Sequence, residues 1–398
     1  MSEGGHCEDG RAPACEDERA TGRRPDAAQG GAHRGHPPPE PDARAPGASH
    51  VDWLERLSPW PVDGFGLDRM HALLGALGDP QVAYEAIHVV GTNGKTTAAR
   101  TVEALLLAEG FSVGATVSPH VTGWSERITV GGQEADLERA LARVRPAAER
   151  LGATQFETVT AAALAAFAEA GVEVAVVEAG LGGRHDATNV LRTRVALLTS
   201  VGLDHTDVLG GTLAEIAAEK LAVVHTDTIV VLPDGTWSHL VGHAGEVRIG
   251  GAREAAEAYA GRPLAAAPEV TVPGRLERRP GEIRDGAHNP DGVRWLLDRL
   301  PLSDYTLCVS ILRDKDVDAM LELLARAGRR LVATASSTTR ALDARELAEH
   351  ARAHFPLVEA VAEPRAAVRR AHELGEPVLV TGSLYLLADL AASERGVA

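Results

Sequence analysis

The chain has 398 residues, of which 44% are hydrophobic, a formal charge of -16 and a pI near 5.5; this is enough chain for two to three domains with substantial cores. Acidic surfaces repel polyphosphate, so no general affinity for nucleic acid or anionic membrane is expected, and an anionic ligand must be met locally. No apolar run approaches the roughly 18 residues of a membrane span, no signal-peptide core is present, and Cys7, Cys15 and Cys308 lack zinc-ligand spacing, so a reduced cytoplasm fits.

Residues 1–50 contain no Val, Leu, Ile, Phe, Tyr or Trp. Nothing there offsets the entropy of ordering, so a disordered tail is expected, with His6, His33, His36 and His50 as solvated tail histidines and folding starting near Val51. Short apolar runs then alternate with amphipathic stretches. Strands are expected at Ile87–Val90, Val113–Val117, Val174–Val177 and Val195–Thr199, and helices at Thr97–Glu109, Leu137–Arg150, Val159–Ala170 and Leu213–Leu221. Such alternation predicts an α/β fold with a parallel sheet and helices on both faces. A boundary falls at Pro268–Arg275. Beyond it, strands at Leu307–Ile311, Leu331–Thr334 and Val378–Thr381 give a smaller Rossmann-like α/β domain, so the expected domains are 51–272 and 273–398.

The first strand runs into Gly91-Thr92-Asn93-Gly94-Lys95-Thr96-Thr97. This is a phosphate cradle: glycines let backbone N–H groups turn toward an anion, Lys95 adds charge, and a Thr hydroxyl can reach phosphate-bound Mg²⁺. It is a contracted P-loop, because the usual first glycine position is Val89. Ligands of open parallel sheets bind beyond the carboxyl ends of the strands. The third strand ends at Glu178 and enters Ala179-Gly-Leu-Gly-Gly-Arg-His-Asp-Ala-Thr-Asn189; the fourth is followed by Asp204-His205. Glu178 offers the oxygen donor that Mg²⁺ prefers, and glycines at 180, 182 and 183 imply a close backbone approach. His205 on its own reads more simply as a structural histidine.

The P-loop, Ser118-Pro119-His120 with Glu126-Arg127-Ile128, the Glu178–Asn189 string, Asp204-His205, Glu219-Lys220, Pro273-Gly274-Arg275 and Asp285-Gly-Ala-His-Asn-Pro290 resemble the Mur ligase superfamily. Within it they are most similar to folylpolyglutamate synthase/dihydrofolate synthase. The resemblance implies an ATP-dependent ligase that joins L-glutamate to dihydropteroate or a reduced folate. It implies one Mg²⁺ held by Ser118, Glu178 and either Thr96 or Thr97, and a second served by Glu178, His205 and a carbamylated Lys220. It further implies that Arg275 and Asp285 contact the nucleotide and that His288 lies near the phosphates or the glutamate.

Only about forty foldable residues precede Gly91, too few for the UDP-sugar domain of cell-wall Mur ligases, which favours the folate branch. Trp124 and Phe156 are candidate walls for the pterin, with ordinary packing as the competing reading. Two alternatives stay open: a superfamily ligase with a non-folate carboxylate, permitted by Gly94-Lys95-Thr96-Thr97 where folate enzymes usually read Gly-Lys-Gly-Ser, and a non-catalytic nucleotide-binding paralogue. A monomer without nucleic-acid or membrane partners is expected.

Overall fold

The computed structural model describes residues 49–61 and 64–395. Cys7, Cys15, His6, His33 and His36 lie outside the described residues, as does nearly all of the expected tail. His50 departs from that expectation. It opens the helix His50–Glu55, capped by Ser49, and its backbone N–H and Nδ1 both meet Glu138 Oε2, at 2.8 and 3.0 Å.

The first lobe is built on eight strands: β1 (Glu85–Val90), β2 (Val113–Thr116), β3 (Ile128–Val130), β4 (Gln133–Glu134), β5 (Val174–Glu178), β6 (Thr193–Leu198), β7 (Ile229–Leu232) and β8 (Glu246–Ile249). Their order is β4-β3-β2-β5-β1-β6-β7-β8. All neighbours run parallel except the β2–β3 and β3–β4 pairs. The chain leaves β1 toward one edge and later returns to place β6 on β1's other side. The resulting switch point sets the carboxyl ends of β5, β1 and β6 side by side, where ligands of such sheets bind.

Alternation along the strands feeds two cores. Ile87, Val89, Val174 and Val176 face the helices Lys95–Ala108 and Ala252–Ala260; Ala86, Ala175 and Val177 face Leu137–Leu151 and Gln155–Ala170. Thr154 and Glu157 form a reciprocal capping box that starts Gln155–Ala170 four residues before the apolar run at Val159, and Gly171 ends it in the left-handed conformation.

The second lobe holds β9 (Glu277–Arg279), β10 (Glu282–Arg284), β11 (Thr306–Val309), β12 (Arg330–Ala333), β13 (Leu357–Ala360) and β14 (Val378–Thr381), in the order β13-β12-β11-β14-β10-β9. Only the β9–β10 hairpin is antiparallel. Val121, from the loop after β2, packs among Leu384, Leu386 and Leu387 of the second lobe and ties the two lobes together.

Candidate functional site

The P-loop turns on Gly91 and Gly94, with Gly94 left-handed at the start of the helix Lys95–Ala108. A Cβ on Gly91 would lie 2.0 Å from Thr199 Oγ1, so a side chain there is excluded. The segment after β6 braces the loop from the other side: Ser200 O accepts from Thr92 N–H at 3.0 Å, Ser200 Oγ accepts from Asn93 N–H at 2.9 Å, and Thr199 Oγ1 donates to Asn93 O at 2.7 Å. The helix N-terminus and free amides thereby face open space, the arrangement that binds phosphate.

Glu178, at the end of β5, is only 3% exposed. Its Oε1 accepts from Thr96 Oγ1 at 3.1 Å and its Oε2 from Ser118 N–H at 2.9 Å. Burial raises its pKa above the usual carboxylate value, opposed chiefly by the nearby Lys95 charge. Thr96, rather than Thr97, is the hydroxyl beside this carboxylate; Thr97 lines the cavity, and its carbonyl accepts from Thr101 Oγ1.

Lys220 is 4% exposed at the end of the helix Leu213–Lys220. Its Nζ donates to Gly91 O at 2.9 Å. Burial, with the Lys95 charge acting the same way, lowers its pKa to about 7. The glycine loop after β5 is shaped by this helix: a Cβ on Gly183 would sit 2.5 Å from the Lys220 carbonyl oxygen. The close approach foreseen for that loop is therefore to the protein itself. Asp186 holds the loop through Leu181 N–H at 2.7 Å.

The second lobe meets this edge. Asn93 and Asn289 exchange side-chain amide hydrogen bonds at 3.1 Å, and Asn289 Nδ2 also donates to Asp204 Oδ2 at 3.0 Å. Lys315, 5% exposed, pairs with Asp204 Oδ1 at 2.5 Å. Burial by itself raises the Asp204 pKa, but the Lys315 charge and hydrogen bond outweigh it and hold the carboxyl well below its usual range. His205 and His288 each lie 3.8 Å from this carboxylate. Burial lowers the pKa of both rings, that of His288 to about 4, so both are neutral at pH 7; His288 Nδ1 donates to Gly286 O at 2.8 Å.

Asp285 accepts from Leu276 N–H at 2.8 Å and Ala287 N–H at 2.9 Å, so its carboxylate braces the loop that carries Arg275. One cavity of about 1030 Å³ is lined by residues 91–97, Ser118, Glu178, His205, Lys220, Arg275, Asp285 and His288 together. Every residue that the sequence analysis gave to the nucleotide, the metal ions or catalysis lines it. Trp124 does not: it packs between His120 and Arg127, with centroid distances of 4.6 and 4.4 Å, while Phe156 does line the space. Motif reading quoted Arg127 without giving it a role and missed Trp60, Phe65, Lys315 and Tyr385, which also line it. Of these, the exposed edge-on aromatic pair Trp60 and Phe65 left a signal, two large apolar residues in a Pro- and Gly-rich loop. Among the described residues no three His, Cys, Asp or Glu side chains form a metal-holding group, and no helix is long and apolar enough to cross a membrane.

A P-loop sheet edge facing a cavity completed by a second α/β lobe defines a two-lobed nucleotide-binding protein of the Mur ligase kind. Residues 89–241 match the Mur ligase middle domain and residues 274–384 the Mur ligase glutamate ligase domain, and the chain belongs to this family. Within it, the chain is 34% identical over 372 residues to the dihydrofolate synthase/folylpolyglutamate synthase of Mycobacterium tuberculosis, covering 71% of this chain and 76% of that one. Its fold matches Escherichia coli FolC in complex with DHPP and ADP at a TM-score of 0.78, with 27% identity and 88% and 99% of the two chains covered. A bifunctional folylpolyglutamate synthase/dihydrofolate synthase with Mn, AMPPNP and L-glutamate bound matches at 0.77, with 27% identity over 88% and 98% of the chains.

Proposed function

We propose that this protein is an ATP-dependent amide ligase that adds L-glutamate to dihydropteroate, to the γ-carboxylate of reduced folates, or to both. The observation that carries this reading is the single cavity where the P-loop, the buried Glu178 and second-lobe residues converge. Support comes from relatives that are folylpolyglutamate and dihydrofolate synthases, with solved structures that hold ADP, AMPPNP, Mn and L-glutamate.

A carboxylate oxygen is a poor leaving group, so the acid must be activated. An oxygen of the substrate carboxylate attacks the γ-phosphorus, the bond to the β–γ bridging oxygen breaks, and ADP leaves an acyl phosphate. The glutamate amine then attacks the acyl carbon, a C–N bond forms, the amine loses a proton, and inorganic phosphate departs. The P-loop amides and Lys95 hold the phosphoryl oxygens in place as charge shifts between them. The lobes, joined through Asn93–Asn289 and Asp204–Lys315, keep water from the acyl phosphate. Arg275 and Asp285, which line this cavity, would contact the nucleotide, and the neutral His288 the phosphates or the glutamate.

The donor set fits magnesium. Glu178 is a buried carboxylate whose ionised form needs a cation; Thr96 Oγ1 lies beside it, and Ser118, whose backbone N–H meets the same carboxylate, would bring a further oxygen donor. Bound there, Mg²⁺ supplies charge neutralisation on the transferring phosphoryl group. A second ion at His205 and Lys220 fits Lys220 as a carbamate: with a pKa of about 7 its amine is substantially unprotonated near neutral pH, as CO₂ addition requires. Release of ADP that depends on L-glutamate together with dihydropteroate or tetrahydrofolate tests the assignment, and its absence with both acceptors rejects it.

A further inference from the structure

Arg127 closes the turn Trp124–Arg127 between β2 and β3 and lines the cavity that contains Glu178. Its guanidinium is fixed from two directions: Nε donates to His120 Nδ1 at 2.9 Å, and the group stacks 4.4 Å over the Trp124 ring. Trp124 is itself anchored, its indole N–H donating to Glu55 at 3.0 Å. Burial lowers the His120 pKa to about 3, so the ring stays neutral and able to accept. Beneath them, Glu126 gathers the N–H groups of Val121 and Thr122 at 2.9 and 2.7 Å, which sets the loop.

What Arg127 lacks is an ion pair: Glu178 and Glu126 act on its charge through space, without direct contact. Among the described residues no carboxylate lies within ion-pairing distance of it, and its terminal nitrogens donate to no protein acceptor. Lys315 and Arg340, cations of the same cavity, are already paired with Asp204 and Asp314. Burial lowers the Arg127 pKa to about 10, so the group remains charged at neutral pH. A charged guanidinium held rigidly with its terminal fork free is one half of a bidentate carboxylate site. Keeping such a charge partly buried is costly without a partner.

We propose that Arg127 binds a substrate carboxylate that does not itself react. This rests on the glutamate-ligase reading. Two ligands bring such a group: L-glutamate, which reacts through its amine, and a reduced folate, whose α-carboxylate is a bystander while its γ-carboxylate is activated. Dihydropteroate brings none, because its single carboxylate is the one that reacts.

The test is steady-state kinetics of wild type, Arg127→Gln and Arg127→Lys with each acceptor, alongside calorimetry of L-glutamate and tetrahydrofolate binding to protein loaded with Mg²⁺ and AMPPNP. Thermal transitions verify folding. If the anchor serves L-glutamate, its KM in Arg127→Gln rises about 10- to 100-fold with both acceptors. If it serves the folate, the KM for tetrahydrofolate rises and that for dihydropteroate does not. In either case the KM for ATP is unchanged, the calorimetric Kd rises in parallel, and Arg127→Lys recovers part of the loss. An active wild type with unchanged KM and Kd for every carboxylate ligand in Arg127→Gln, or a KM rise confined to ATP, overturns the proposal. A wild type that neither binds nor turns over these ligands overturns the ligase reading and this proposal with it.

Discussion

Lys220 and Gly91, 129 residues apart, meet through a 2.9 Å hydrogen bond from the lysine Nζ to the glycine carbonyl. The contact fastens the helix Leu213–Lys220 to the first residue of the phosphate loop and takes an amine out of water. Burial holds its pKa near 7, against 10.5 for an exposed lysine. Between those values the unfolded chain binds the extra proton, so this group makes stability rise with pH. Above pH 9 the buried Cys308 thiol, whose pKa burial raises, acts in the opposite direction. In CO₂-free, metal-free buffer, where Lys220 stays an amine, denaturant midpoints between pH 7 and 9 should therefore climb more steeply in wild type than in Lys220→Met; parallel curves contradict the assignment.

Glu178→Gln should lower turnover by about 10²- to 10³-fold or more, because it removes the ionised oxygen facing the phosphoryl group. Stability should not fall at neutral pH. The folded-state pKa lies above the unfolded value, so ionising this carboxylate disfavours the fold as pH rises, and the amide removes that penalty. Calorimetric melting together with an ADP-release assay checks both halves, and preserved activity would remove Glu178 from the metal site.

Gly183→Ala places a methyl 2.5 Å from the Lys220 carbonyl oxygen and 2.8 Å from that of Glu219. Neither backbone group can move without shifting the Lys220 helix. A loss of about 1–3 kcal/mol is expected from urea unfolding, with reduced kcat. A variant with wild-type stability would mean that the loop and helix are further apart.

Lys315→Met should loosen the lobes. Removing one partner of a buried pair leaves a charge that must be rehydrated. Here opening the crevice exposes Asp204, so the radius of gyration in small-angle scattering should increase while each lobe stays folded. Asp204 titrates below its usual range, so in wild type the Asp204–Lys315 pair forms its full contribution above pH 4 and loses it as pH falls through the depressed value. Scattering curves identical to wild type would show that other contacts hold the lobes closed.

Strands β1, β5, β6, β11, β12 and β14 were legible because they are short runs buried on both faces, which leave continuous apolar stretches, whereas the interior strands β7 and β10 went unplaced. The edge strands were not legible either. β8 is largely exposed, β4 has two residues, and β9 is mostly charged, so their places come from pairing rather than pattern. The phosphate loop and Glu178 could be found because glycines and a strand-terminal carboxylate mark them locally. Lys315 and Tyr385 could not, and Arg127 stood in a quoted motif without a role, since their meaning depends on which groups from other parts of the chain surround them. Thr96 and Thr97 were indistinguishable by spacing; the 3.1 Å contact with Glu178 separates them.

The most direct measurement follows the fate of a labelled oxygen. Wild-type protein is supplied with Mg²⁺-ATP, L-glutamate and dihydropteroate or tetrahydrofolate enriched in ¹⁸O at the carboxylates, and the products are analysed by mass spectrometry. The account predicts an acceptor heavier by one glutamyl residue and inorganic phosphate carrying one ¹⁸O, transferred as the acyl phosphate breaks down. Glutamylated product with unlabelled phosphate, or ATP hydrolysis without a glutamylated acceptor, would contradict it.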